Sequence, residues 1–223
     1  DPAIAMDKRA ITPRSLTAQL DSVRLSGSGE YMWNGQTASR FTAAGEDVSA
    51  LAKLLELSED SLAGSINVDG SVRGTVQSLD GRAELTARNL TAFDVPVGAL
   101  KAGLQLNGDR VTIDATAPDL HAHVRGGVGI RAPFPFQADA DLERTPLAPL
   151  VAAMPDRDAA IDGTISAGLR ATGNGNRATE ATATVDLRSL DLKVGDVPLA
   201  LASPSRLSIA PGAVAVDSLR LRV

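Results

Sequence analysis

A strict two-residue alternation marks one stretch of this chain, which reads Gly64-Ser65-Ile66-Asn67-Val68-Asp69-Gly70-Ser71-Val72-Arg73-Gly74-Thr75-Val76. Its even positions carry isoleucine, valine and glycine, while its odd positions carry serine, asparagine, aspartate, arginine and threonine. Because successive side chains of a strand point to opposite faces, the stretch predicts a β-strand with one apolar and one polar face.

The same alternation continues along nearly the whole chain, as far as Val214 and Val216 near its end. Turn-forming stretches such as Asn107-Gly108-Asp109 separate the alternating runs at the distances expected of hairpins. The pattern therefore predicts an all-β protein of roughly a dozen antiparallel strands joined by short turns.

The chain also repeats itself. Gly64-Ser65-Ile66-Asn67-Val68 is matched by Gly163-Thr164-Ile165-Ser166-Ala167, 99 residues further on. Asp94-Val95-Pro96 is matched by Asp196-Val197-Pro198 after 102 residues. Such matches predict an elongated stack of units of about 100 residues rather than a single pocketed globule.

The repeat suggests where the units begin and end. We expect residues 1–45 to end a preceding repeat, residues 46–142 to form repeat unit 1, and residues 143–223 to form repeat unit 2, truncated at its C-terminus. Each unit is expected to begin with a short helix, near residues 47–57 and near residues 146–154.

Capping residues support the two helices. Asp47 and Thr145 are expected to be N-caps, and Pro146 suits the first helical position.

The apolar phase slips by one residue inside Leu20-Asp21-Ser22-Val23-Arg24-Leu25. The same slip occurs in the matching segment Val216-Asp217-Ser218-Leu219-Arg220-Leu221. A shift at both places predicts a bulge or bend that belongs to the repeat.

Composition excludes several classes of function. The 223-residue chain has a net charge of -5, and its acidic and basic residues are interspersed. Nucleic acid is therefore not an expected partner, because phosphate backbones require a basic stripe. The absence of cysteine excludes disulfides and thiolate metal sites.

Targeting signals are not evident in the sequence. It has no apolar run of about 18 residues, and residues 1–12 lack the pattern of a signal peptide. We expect the chain to be a piece of something longer, with any membrane anchor or export signal outside it.

The apolar face is aliphatic, since the chain contains only four phenylalanines, one tyrosine and one tryptophan. Such a face must be covered, either as the dry core of a sandwich or barrel, or as the lining of a groove that a ligand fills. Periodicity alone leaves both solutions open.

The pattern of glycines and alternating strands from Gly64 to Val76, followed by Gly81-Arg82-Ala83-Glu84-Leu85-Thr86-Ala87-Arg88-Asn89-Leu90, resembles the repeating β-groove proteins of the AsmA and TamB group. The resemblance extends over most of the chain, from about Leu20 to Val223. It implies an elongated, curled antiparallel sheet, or β-taco, with short helices between its units.

The resemblance also implies a place and a role. It implies a periplasmic protein, anchored at the inner membrane through parts outside this chain, whose apolar groove conducts phospholipids toward the outer membrane. A β-barrel of the outer membrane is a further partner that it implies. Neither a catalytic residue nor a cofactor is implied.

The residues expected to line this groove are the aliphatic ones on the apolar face of each strand. They are Ile66, Val68, Val72, Leu85, Leu104, Leu106, Val111, Ile113, Val124 and Val128 in unit 1, and Ile165, Leu169, Val185, Leu187, Leu207, Ile209, Val214 and Val216 in unit 2.

Few residues suggest other chemistry. His121 and His123 would share the polar face of a strand, and solvent-facing histidines are favoured there over a metal site because no third ligand follows from the spacing. The carboxylates of Asp139 and Asp141, and those of Asp156 and Asp158, are interpreted as solvated surface. The sequence gives no basis for an enzyme.

Two alternative functions remain open. One is a structural or adhesive repeat of an exported protein, in which the apolar face is sealed as a core. The other is a factor that assists outer-membrane protein assembly by offering a sheet edge to client strands.

Overall fold

A computed structural model of the chain describes residues 3–6, 10–49, 61–75, 78–152 and 161–223. In these residues sixteen strands form one open antiparallel sheet in which each strand pairs with its sequence neighbour as far as β13. The predicted fold class, an elongated all-β sheet of repeated units with short helices between them, is confirmed.

The elements follow one another in simple order. They are β1 (Ala3–Met6), β2 (Ala10–Leu20), β3 (Val23–Met32), β4 (Gln36–Gly45), β5 (Leu62–Thr75), β6 (Ser78–Ala92), β7 (Val95–Asn107), β8 (Arg110–Ala117), a 3₁₀ turn (Pro118–Leu120), β9 (Ala122–Gly129), β10 (Pro135–Pro146), α1 (Leu147–Ala152), β11 (Ile161–Asn174), a 3₁₀ segment (Gly175–Glu180), β12 (Thr182–Val194), β13 (Val197–Leu201), β14 (Ser205–Ala210), β15 (Ala213–Val216) and β16 (Leu221–Arg222).

Six strands separate equivalent positions of the repeat. Gly64 of β5 and Gly163 of β11 both have positive φ angles, 116° and 137°, and a Cβ atom at either position would overlap the backbone of the next strand. The matching glycines of the sequence therefore occupy matching, closely packed places in the sheet. The boundary expected between residues 142 and 143 lies inside β10.

Buried side chains concentrate at one end of the strands. Ala87, Ala167 and Leu187 are at most 9% exposed there, and Leu120 of the 3₁₀ turn and Leu147 of α1 are buried as well. Since α1 contacts both β11 and β7, this short helix spans several strands and covers the end of the apolar face. We call this region the covered end.

The helix expected near residues 146–154 is present as α1, but its predicted cap is wrong. Thr145 is fully buried in β10, and its Oγ1 has no hydrogen-bond partner among the described residues. Thr145 lies opposite Ile165 of β11, so it is part of the apolar face. For the helix expected near residues 47–57, Asp47 does accept hydrogen bonds from the backbone N–H and hydroxyl of Ser49; residues 50–60 lie outside the described ranges.

The phase slip has a different cause at each of its two places. Asp21 and Ser22 form the two-residue turn that joins β2 to β3, with Leu20 opposite Val23, so the predicted bulge is a hairpin. Residues 217–220 instead form an irregular connection between β15 and β16. A hairpin turn and an interrupted strand both reset the phase of alternation, which is why the sequence pattern is the same.

Candidate functional site

Strand register aligns the apolar residues into continuous rows. Directly opposed residues of an antiparallel pair lie on the same face, so a chain of such pairs crosses the sheet. The first row crosses thirteen strands and consists of Ala18, Leu25, Ala43, Val68, Leu85, Ala102, Ala115, Val124, Ala140, Leu169, Val185, Leu207 and Val216. No polar residue interrupts it.

A second row runs beside the first and is equally free of polar residues. It consists of Leu16, Gly27, Phe41, Gly70, Ala83, Leu104, Ile113, Gly126, Ala138, Ala171, Ala183, Ile209 and Val214. A shorter third row contains Gly29, Ser39, Val72, Gly81, Leu106, Val111, Val128, Phe136 and Gly173.

The length of these rows follows from strand spacing. Twelve intervals of about 4.8 Å give the first row a length of roughly 58 Å. Half the hydrocarbon thickness of a bilayer is about 15 Å, so the row is several acyl chains long.

The middle of this apolar face is exposed. Leu25, Val124 and Leu169 of the first row are 41%, 38% and 39% exposed, and Ile113 and Ile209 of the second row are 37% and 41% exposed. Side chains in the dry core of a sandwich are almost completely buried. The apolar face is therefore open over much of its first two rows, although Ala102 and Ala115 of the first row are only 8% and 7% exposed, and it is closed at the covered end.

All eighteen predicted groove residues lie on this face, and fifteen of them belong to the three rows. The exceptions are Ile66, Ile165 and Leu187, which lie at the covered end: Ile66 faces Gly45, Ile165 faces Thr145, and Leu187 faces Ser205. Leu187 is only 9% exposed, so a ligand on the open face does not reach it.

Two aromatic side chains lie on the apolar face, and the sequence pattern did not predict either of them as a groove residue. Phe41 lies opposite Gly70, and Phe136 lies opposite Gly173. A Cβ atom at either glycine would overlap the phenylalanine ring, so each ring lies flat over the glycine backbone. An aromatic residue and a glycine on adjacent strands are the signal for this arrangement, but only the strand register shows that they are opposed.

The opposite face of the sheet is polar and carries a row of alternating charge. Asp114, Arg125, Asp139 and Arg170 are opposed in that order across β8, β9, β10 and β11. Asp139 pairs with Arg170 at 2.8 Å, and Asp114 pairs with Arg125 at 3.3 Å and with His123 at 2.7 Å. We call these residues, with the pairs described next, the ion-pair ladder.

The ladder continues on β12 and β14. Arg188 donates two hydrogen bonds to Asp141, at 2.7 and 3.0 Å, and one to each of the backbone carbonyls of Leu142 and Ala167. Arg206 pairs with Asp186 at 2.5 Å. Cross-strand charge pairs thus link neighbouring strands on this face from β8 to β12 and at β14.

Hydrogen bonds from the arginines change the acidity of the ladder. The Arg170 guanidinium lowers the pKa of Asp139, and the Arg188 guanidinium lowers the pKa of Asp141. The hydrogen bond with His123 lowers the pKa of Asp114. These carboxylates therefore stay ionised to lower pH than free aspartates do.

Two depressions of the surface are bordered by residues of both faces of the sheet. One of about 380 Å³ is bordered by Arg125, Asp139, Arg170 and Arg188, all members of the ladder. A larger one of about 960 Å³ is lined by polar residues such as Ser71 and Arg82 and also by Val72 and Leu106 of the third row. The larger depression therefore reaches the apolar face at the third row.

The histidines do not share a strand face as the sequence suggested. His121 follows the 3₁₀ turn in a left-handed conformation with φ of 46°, and β9 begins at Ala122. His123 alone lies in the strand, bonded to Asp114. In the described part of the chain no cluster of three or more metal-ligating side chains occurs. Asp156 and Asp158 lie outside the described residues.

Comparisons with known proteins identify no relative: the chain matches no protein-family model, no curated protein and no solved structure. Among the described residues no helix has both the length and the apolar character to cross a membrane.

Proposed function

We propose that this chain is a segment of a β-groove protein that binds the acyl chains of phospholipids on its apolar face and conducts them along it. In this proposal the parent protein lies in the periplasm, joins the inner and outer membranes, and belongs with the AsmA and TamB group that its repeat pattern resembles. A β-barrel of the outer membrane is its proposed partner at the far end.

The observation that supports this function best is the unbroken first row. An acyl chain gains about 0.8 kcal/mol for each CH₂ group removed from water, whichever aliphatic side chain it touches. A row without polar interruptions presents no site at which the chain is bound more tightly than at the next. It therefore favours movement along the row over capture at one point.

The asymmetry of the sheet also supports a groove. Its polar face carries an ion-pair ladder exposed to water, while the exposed apolar residues such as Val124 and Leu169 lack a covering layer among the described residues. Exposed apolar surfaces of this extent are characteristic of ligand or membrane contact.

The first test is native mass spectrometry of the purified chain, with lipid extraction, on the parent and on Val124→Asp and Leu106→Asp. We expect phospholipid to accompany the parent chain and to be lost from both variants, because a carboxylate in a row removes the apolar contact of the acyl chain. Circular dichroism establishes that each variant remains folded.

Thr86→Asp is the matched control, since Thr86 is exposed and its neighbour Leu85 belongs to the first row. The control places the same charge on the polar face and should retain lipid. A lipid-free parent chain that unfolds in both row variants contradicts the proposal and favours the structural repeat with a sealed core.

A further inference from the structure

Four of the six aromatic residues in the chain lie at the end of the strands opposite the covered end. Tyr31 and Trp33 lie at the connection between β3 and β4, and Phe134 and Phe136 lie at the connection between β9 and β10. We call these four residues the aromatic rim. Tyr31, Trp33 and Phe134 are 43%, 53% and 41% exposed, which is unusual for side chains of this size.

The rim follows the repeat. The β3–β4 and β9–β10 connections are equivalent, because each pair of strands comes directly before one of the matching strands β5 and β11. Six strand intervals place them about 29 Å apart. Of the two connections between them, the one formed by Gly108 and Asp109 at the end of β7 is polar, and residues 76–77 of the other lie outside the described ranges.

Hydrogen bonds hold both connections in fixed shapes. In the first, the Gly35 N–H donates to the carbonyl of Met32, and Asn34 accepts a bond from the Gln36 N–H. In the second, the Phe134 N–H donates to the carbonyl of Arg131 at 2.8 Å, and the Phe134 carbonyl accepts from Gly175. The aromatic side chains are thus presented by ordered turns.

We propose that the aromatic rim docks on the headgroup layer of a phospholipid bilayer, so that the rows of this segment lie along that membrane rather than across the space between the two membranes, and that lipid passes there between the bilayer and the apolar face. Aromatic side chains, tryptophan and tyrosine above all, favour this layer because one part of the ring contacts hydrocarbon while the polar atom stays hydrated. A protein partner needs a contiguous patch of about 800 Å² on each side, whereas aromatic anchors separated by a polar turn suit a fluid surface.

The rim is continuous with the apolar face, and the proposal for lipid passage rests on the proposed function. Phe136 belongs both to the rim and to the third row, where it faces Val128 and Gly173. An acyl chain that leaves the bilayer beside Phe136 therefore meets the third row without crossing a polar surface.

Trp33 is the only tryptophan of the chain, so its fluorescence reports on the rim. With phosphatidylcholine vesicles we expect its emission to move to shorter wavelength and to be quenched by phosphatidylcholine brominated on the acyl chains. Emission that vesicles leave unchanged overturns the proposal. Emission that instead shifts with protein concentration in the absence of lipid assigns the rim to self-association and also overturns it.

Variants separate the rim from the apolar face. Phe134→Ser and Tyr31→Ser should each weaken vesicle binding by at least about fivefold in flotation assays, because each removes an anchor. Phe93→Ser is the matched control, since Phe93 is 62% exposed between β6 and β7 at the other end of the strands. Its binding should equal that of the parent.

The two proposals fail differently. Val124→Asp should lose co-purified lipid but still bind vesicles through the rim. Full vesicle binding by Phe134→Ser and Tyr31→Ser overturns docking by the rim and leaves acyl-chain binding by the rows intact. Lipid-free parent protein that still shows the Trp33 shift contradicts the proposed function and retains the docking surface.

Discussion

Individual glycines decide how closely the strands approach in this sheet. Gly163 combines a φ angle of 137° with a position against the backbone carbonyl of Asp191, so both its conformation and its surroundings exclude a side chain. Gly103 of β7 is the opposite case, because nothing lies within 4 Å of the place where its Cβ would be. The same residue type thus has two roles that the sequence pattern does not distinguish.

We expect Gly163→Ala to lower the free energy of unfolding by about 1–3 kcal/mol, because the new methyl group strains the backbone and displaces the Asp191 carbonyl. Gly103→Ala should be neutral or slightly stabilising, since it reduces the entropy of the unfolded chain without a clash. Urea unfolding of the two variants measures both effects. Equal stability of the two would show that the close approach at Gly163 does not constrain the fold.

At the level of elements, the register of β8 to β12 and β14 depends differently on the two faces of the sheet, one of which carries the apolar rows and the other the ion-pair ladder. The apolar rows are uniform, so a slip by two residues along a strand exchanges one aliphatic side chain for another. The ion-pair ladder does not permit this, because a slip would remove Asp139 from Arg170 and Asp141 from Arg188. Aliphatic packing alone would allow registers that differ by two residues, and the charge pairs therefore favour one of them.

This role predicts a pH dependence. The pKa values of Asp114, Asp139 and Asp141 are lowered in the folded chain, so the unfolded chain takes up protons first as the pH falls. Their contribution to stability is fully present above the unfolded-state pKa, about 4, and disappears as the pH falls through the folded-state values.

The measurement is urea unfolding between pH 2 and pH 7, roughly the range over which aspartates titrate. Asp139→Asn and Asp141→Asn should be less stable than the parent at pH 7 and should approach it at the acidic end. Gln105→Ala, which alters the exposed polar face without removing a charge, should run parallel to the parent. If the difference in unfolding free energy between the parent and the ladder variants stays constant with pH, the ionised carboxylates do not contribute as proposed.

For the whole molecule, most of the buried side chains lie at the covered end of the strands, and most of the exposed apolar side chains lie beyond it. Side chains at the covered end, such as Ala87 and Leu187, are buried, whereas many side chains of the rows, such as Val124 and Leu169, contact solvent. Within the described residues the sheet is therefore packed at one end, and much of the remaining apolar face is exposed.

Substitution by aspartate should therefore lower the free energy of unfolding by different amounts at the covered end and in the exposed rows. Leu187→Asp should lower the free energy of unfolding by at least about 3 kcal/mol, because it buries an unpaired charge. Val124→Asp, at a position 38% exposed, should cost about 1 kcal/mol. Thermal unfolding compares them, and a similar large loss in both would indicate a sealed core.

The sequence by itself determined the strands, their two unlike faces and the repeat of about 100 residues. These properties are local, since the two-residue period of a strand and the chemistry of residues such as Val68 and Asp69 are fixed by adjacent positions. Turn residues such as Asn107-Gly108-Asp109 predict the hairpins for the same reason, because turn preference also depends on adjacent positions.

Only the tertiary structure decided which residues meet across strands. Register depends on contacts distant in the chain, so the unbroken first row, the ring of Phe41 over Gly70 and the pairing of Arg188 with Asp141 could not be predicted from local pattern. The same holds for Leu187, which has the alternation of a groove residue but is covered. Burial is set by what packs above a side chain, and the local pattern records only the face on which it lies.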